Sequence, residues 1–187
     1  MKTINATELK SILAEHQLWF ETNSVQGTLA DLTGENLINA NLTGANLTGA
    51  YLNYANLTGA NLVGANLTGA NLVGANLTGA YLVDASLTYA NLWGANLRDA
   101  NLEGAYLVDA SLTYANLSDA NLKGANLKGA NLKGAILTGT ILEKKAEKAE
   151  KQTEVVSVKS ENSIRSEFEA LAKKHGMKIE SMTFSLI

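Results

Sequence analysis

Cysteine and proline are both absent from the 187 residues, aromatic residues make up only 6% of them, and there are just two histidines, His16 and His175. Without cysteine there can be no disulfide framework and no thiolate metal site. A dominant charge is missing as well. Fifteen basic side chains against 18 acidic ones leave a net charge of -3, too weak a field to point to nucleic acid or an acidic membrane as partner. No stretch reaches the roughly 18 uninterrupted apolar residues of a membrane span. Met1 to Lys10, with Glu8 inside it, lacks the apolar run of a secretion signal. These absences predict a soluble, cytoplasmic protein with one core.

What the chain does have is a period. Leucine recurs at every fifth position from Leu32 to Leu142 without a break, 23 times in register. Alanine stands two residues before it in 21 of those units, the exceptions being Glu35 and Thr140, and asparagine fills the position between them in 15. The unit is Ala-Asn-Leu-x-Gly. On a helix a five-residue period would carry successive leucines round the axis, because each unit turns the chain by far more than one full turn. On one continuous strand the odd period would throw them onto alternate faces, although Ala and Leu two apart do share a face. The chain must therefore turn once per unit. A short extended side with Ala and Leu inward and Asn outward, followed by a corner where Gly supplies backbone freedom, meets that requirement. Such sides wind into a β-solenoid.

The repeated Ala-Asn-Leu-Thr-Gly of residues 40–50 and 65–80 resembles the pentapeptide-repeat family, and the resemblance covers 29–142. It implies an all-β solenoid, a right-handed quadrilateral β-helix with four units and 20 residues per coil. The family's central inward position falls on Leu32 through Leu142 and its second inward position on Ala30 and on Ala40 through Ala135. Leu32, Leu52, Leu72, Leu92, Leu112 and Leu132 then stack along one side of the core. At a strand spacing of about 4.8 Å the coils make a rod about 27 Å long.

A core filled by Leu and Ala leaves no lumen, so any chemistry must lie outside. Steps of 20 sort the outward positions into columns. Thr48, Thr68 and Thr88 form one, too short for an ice-binding face. Tyr51, Tyr54, Trp93 and Tyr114 belong to units on a single side and form the candidate contact surface, since exposed Trp and Tyr mark contact sites. The competing reading is that the tyrosines cover backbone at glycine gaps. Asp99 and Asp119 form a like-charge pair, and Glu103, Lys123 and Glu143 are expected to alternate in one column. Both histidines fall outside the repeat, and no catalytic triad, phosphate loop or metal cluster can be assembled within it. Catalytic residues, cofactors and metals are accordingly expected to be none. Residues 79–92 recur identically at 104–117, an offset of 25 that suggests growth by whole units.

Three segments are expected. Residues 1–28 form an N-terminal helical cap, with Leu9, Ile12, Leu13, Trp19 and Phe20 at helical spacing and Asn5 and Glu8 as a capping box. Residues 29–142 form the β-helix. Residues 143–187 form a charged linker and a small α/β tail, with strands at Val155–Val158 and Met182–Leu186 around an amphipathic helix that carries Ile164, Phe168 and Leu171 and ends at Gly176. The tail either folds back on the last coil, near Ile136 and Ile141, or pairs with a second molecule. The expected function is a non-enzymatic scaffold for protein–protein interaction. Its partner is another protein, or a second copy meeting an end of the rod, and neither membrane nor nucleic acid. The alternative is a DNA mimic that binds a type II topoisomerase such as gyrase, as the resemblance implies for some relatives.

Overall fold

In a computed structural model the described residues are 4–143. The chain separates into two compact units, Met1–Glu143 and Lys144–Ile187; the expected linker, strands and helix of the tail lie outside the described residues. The first element, α1, spans Ala6–Glu21. It starts where Asn5, in extended conformation, turns its Oδ1 to accept the Glu8 N–H at 2.9 Å, satisfying one of the donors that every helix start leaves open. Leu9 is buried, with Ile12 and Leu13 half-buried against the core, whereas Phe20 is exposed and does not share the packed face. After α1 the chain doubles back along the helix. Gly27 lies so close to the Glu15 carbonyl that no Cβ fits, and Thr28 N–H donates to that same carbonyl at 3.2 Å.

From Asp31 onward the backbone repeats one pattern. Each unit contributes one parallel bridge residue, and every bridge joins residue i to residue i + 20, from Asp31↔Tyr51 to Asn116↔Ile136. Four bridges fall within each 20 residues, so each coil has four sides. Side 1 carries Leu32, Leu52, Leu72, Leu92, Leu112 and Leu132; sides 2, 3 and 4 begin at Leu37, Leu42 and Leu47. The core is a stack of Leu and Ala, buried from Ala30 to Leu122 with Ala40 and Ala45 half-buried. Leu132 departs from expectation. It is half-buried, because it belongs to the last, incomplete coil and no further coil follows among the described residues.

The hydrogen bonds explain the sequence of the unit. Taking the unit Ala70 to Gly74, Asn71 N–H donates down to Ala50, Leu72 N–H donates up to Asn91 at 2.7 Å, and Gly74 N–H donates up to Trp93 at 2.9 Å. Ala75 N–H closes the corner on Leu72 O at 3.0 Å. One donor remains, the N–H of Val73, and Asn71 Oδ1 accepts it at 3.2 Å. The asparagine therefore does not simply point outward. Its side chain curls back to close an Asx turn, which only a short side chain with an acceptor oxygen can do. At the start of the rod Asp31 does the same for Thr33, and the Thr33 hydroxyl and N–H hold the Asp31 carboxyl below the usual carboxylate range.

Each corner has positive φ at its third residue, as a type II turn demands. Glycine fills most of these places, but Asn39, Tyr54, Asp84, Tyr89, Asp99, Asp109, Tyr114 and Asp119 adopt φ between 54° and 59° there. The end of the described chain closes differently. Thr140 is buried, its hydroxyl donates to Leu137 O at 2.6 Å, and Glu143 Oε2 accepts the Gly139 N–H at 2.6 Å. The carboxylate takes the place of the carbonyl that a further coil would have offered to Gly139. Glu143 thus leaves the column in which it was expected to follow Lys123.

Candidate contact surface

Side 1 brings the four sequence-selected aromatics onto one face but does not join them into one patch. Tyr51, Tyr54, Trp93 and Tyr114 are 45%, 62%, 49% and 57% exposed. Trp93 and Tyr114 meet edge to face, with ring centroids 6.1 Å apart and planes at 84°, the arrangement that aromatic quadrupoles favour. Tyr54 stays apart. Its ring lies over Gly74, close enough to exclude a Cβ there, and the ring of Tyr114 lies over Gly134 in the same way. The glycine-covering reading of the tyrosines therefore holds for both. Gly94, between them, is different, because nothing stands within 4 Å of where its Cβ would be. Bare backbone thus lies beside the Trp93–Tyr114 pair. Tyr51 occupies a bridge position, where it displaces the asparagine and leaves Asn53 N–H without an Asx partner; Asn53 Oδ1 is itself buried and unbonded.

Side 1 carries little charge, only Asp31 near its start and Lys133 near its end. The charged groups gather elsewhere. Lys123 Nζ donates to Glu103 Oε1 at 2.9 Å, and that hydrogen bond and charge, with Asn121 adding a weaker hydrogen bond, hold the Glu103 carboxyl below its usual range. Asp99 pairs with Arg98 at 3.4 Å, while Asp119 lies over Gly139. Among the described residues no three His, Asp or Glu side chains cluster to hold a metal ion, and no helix is long and apolar enough to cross a membrane.

Sequence reasoning passed over a second feature. A groove of 510 Å³ runs between the N-terminal segment and the first coil, lined by Ile4, Leu9 and Leu13 on one flank and Leu37, Ile38 and Ala40 on the other. Ile38, standing where Thr is the commonest residue, is the signal that could have revealed it.

The five-residue unit with its 20-residue hydrogen-bond register has a counterpart among known proteins. A family model described as Pentapeptide repeats (8 copies) matches residues 30–69, 65–104 and 105–143, well over half of the chain. The chain belongs to the pentapeptide-repeat family. Its coils are accordingly those of a right-handed quadrilateral β-helix. Among solved structures it is similar to the pentapeptide repeat protein Rfr23 from the cyanobacterium Cyanothece 51142, at 30% identity over 68% of this chain and 93% of that one, with a TM-score of 0.43. It is similar also to alr5209, a pentapeptide repeat protein from Nostoc Pcc 7120, at 31% identity over 70% and 96% of the two chains, with a TM-score of 0.49. QnrB1, a plasmid-mediated fluoroquinolone resistance protein, matches at 20% identity over 63% and 68%, with a TM-score of 0.28. At that distance the likeness transfers nothing of the resistance protein's role to this pentapeptide-repeat rod. No curated protein matches the chain.

Proposed function

We propose that this pentapeptide-repeat protein is a non-enzymatic scaffold that binds a protein partner through side 1. The observation that carries the reading is the interior: Leu and Ala fill every coil from Ala50 to Leu122 with almost no exposure, so a ligand can be met only on the outer faces. Of those faces, side 1 supplies the edge-to-face Trp93–Tyr114 pair next to the uncovered backbone of Gly94. Aromatic anchors of this kind carry a large share of binding energy when a partner desolvates them.

The alternative, a duplex-mimicking rod for a type II topoisomerase, receives less support. A duplex carries one negative charge per about 1.7 Å, or about 16 along 27 Å, whereas the repeat has seven acidic side chains offset by four basic ones. The scaffold reading is tested by capture from native extract with the intact chain, with Trp93→Ala/Tyr114→Ala, and with Tyr89→Ala, which removes an equally exposed tyrosine on side 4. Saturable capture that survives Tyr89→Ala and falls by about 30-fold or more in the double variant is expected for a hot-spot pair. Equal capture by all three proteins would remove side 1 from consideration. A partner that proves to be gyrase, bound more weakly as salt rises, would favour the alternative.

A further inference from the structure

His16 is completely buried, although it belongs to a helix that is otherwise half open to solvent. Its contacts show why. In the coils above, each corner alanine donates its N–H to the leucine carbonyl three residues before it, as Ala50 does to Leu47. Ala30, the first corner alanine, has Gly27 at that place and donates instead to His16 Nδ1 at 3.2 Å. The Thr48 carbonyl stands where a lower coil would have supplied a donor and accepts no backbone N–H among the described residues. The other ring nitrogen, Nε2, lies on that side, buried and without a regular hydrogen bond. The ring also stacks on Trp19, at 5.7 Å and 12° between planes. The imidazole therefore stands in for part of a missing coil, and it does so in its neutral form, with Nδ1 as acceptor.

We propose that His16 makes α1 an acid-releasable cap: when the ring takes up a second proton, the helix leaves the first coil and bares the end of the rod. A proton on Nδ1 would set two donors, Nδ1–H and Ala30 N–H, against each other and place a charge on a fully buried ring. The ionisable groups on the packed elements are Glu8, Lys10, Glu15 and Glu21 on α1 and Asp31 and Glu35 on the first coil. The groups that meet the ring nitrogens, Ala30 N–H and the Thr48 carbonyl, are both neutral backbone groups. Burial holds the imidazole below histidine's ordinary value, and the Thr48 carbonyl only partly offsets it. A group depressed in this way contributes stability above its unfolded value of about 6.5, and that contribution is lost as pH falls through the folded value. Leu9, Ile12 and Leu13 hold α1 by apolar packing that does not change with pH, and the nearby side-chain contact, Asn46 Nδ2 to Gln17 Oε1 at 3.0 Å, is neutral, so the imidazole supplies the pH-sensitive part of the docking. Release would open the apolar groove and leave the lower edge of the first coil unpaired.

The test follows Trp19 fluorescence in a Trp93→Phe background from pH 7.5 down to 5, a window that stops above the range of ordinary carboxylates. The expected result is a shift of emission to longer wavelength. Its midpoint should lie below the ordinary histidine value and coincide with the His16 titration followed by NMR, and Ala30 amide exchange should accelerate in step. His16→Gln, a neutral acceptor that does not titrate in this window, should abolish the transition. The same acid transition in His16→Gln would overturn the proposal. If His16→Gln is already released at pH 7.5, the NMR comparison decides: a His16 that titrates without any change at Trp19 or Ala30 would overturn it too.

Discussion

Replacing Leu72 by alanine probes the stacked core where it is most constrained. Leu72 lies between Leu52 and Leu92, and all three are completely buried. Leucine-to-alanine changes in such sites cost about 3–5 kcal/mol, the upper end applying where the surroundings cannot close over the cavity. Here they cannot. The coil is held from below by Leu52 N–H to Asn71 at 2.8 Å and Asn71 N–H to Ala50 at 2.9 Å, and from above by Leu72 N–H to Asn91 at 2.7 Å and Gly74 N–H to Trp93 at 2.9 Å. Collapse would break this ladder, so the loss should be about 4–5 kcal/mol. That is a large part of the roughly 5–15 kcal/mol by which domains are stable. Leu132→Ala, at the half-buried end of the same column, should cost about 1–2 kcal/mol because less surface leaves water there. In urea, followed by far-UV circular dichroism, the midpoint for Leu72→Ala should fall by about 2 M for an m-value near 2 kcal/mol/M. Leu132→Ala should move it by less than about 1 M. Equal losses at the two positions would refute the idea that stacking between complete coils holds the core.

Two further outcomes follow from the corners and the Asx turns. Gly94 has φ of 63° and open space around its missing Cβ, so Gly94→Asp should cost less than about 1 kcal/mol and Gly94→Val about 1–2 kcal/mol, read from thermal midpoints; a valine tolerated as well as an aspartate would contradict the turn assignment. Asn76 Oδ1 accepts both the N–H and the hydroxyl of Thr78, at 3.1 and 2.6 Å, whereas Asn91 Oδ1 accepts only the Trp93 N–H. Asn76→Ala should therefore destabilise by about 1–2 kcal/mol and Asn91→Ala by about half as much, whereas chemical denaturation would show both variants nearly as stable as the parent if the asparagines served only as outward decoration.

The winding of the rod was legible in the sequence because one number, the five-residue period, excludes helix and strand by geometry and leaves a turn in every unit. The inward Leu and Ala followed from it. The asparagine was harder to read. Its place between two buried residues says outward, but its enrichment at 15 of the 23 units reflects a backbone donor that no coil can satisfy, and that donor becomes visible only once the other hydrogen bonds have been counted. The pairing of Trp93 with Tyr114 was hidden for another reason. They sit in neighbouring columns on successive coils, and the 20-residue register says nothing of which way a ring leans. His16 reads from the sequence as a packed or rim residue of the helix, and packed it is, but what it does there was hidden, because its role depends on Ala30 lacking a partner at a corner that has no coil beneath it.

The uniform register has a consequence for how such a chain can change. Each side uses the same ladder and each corner the same turn, so inserting or deleting one five-residue unit need not unpick the wall. It rotates everything downstream by one side. An unremarkable genetic slip of fifteen bases thus acts as a dial, setting the angle at which Trp93 and Tyr114 face relative to the helix at the start of the rod. The 25-residue offset between the two identical segments is one such setting, a full coil plus a single click: Tyr81, Asp84 and Tyr89 reappear as Tyr106, Asp109 and Tyr114, each carried to the next face.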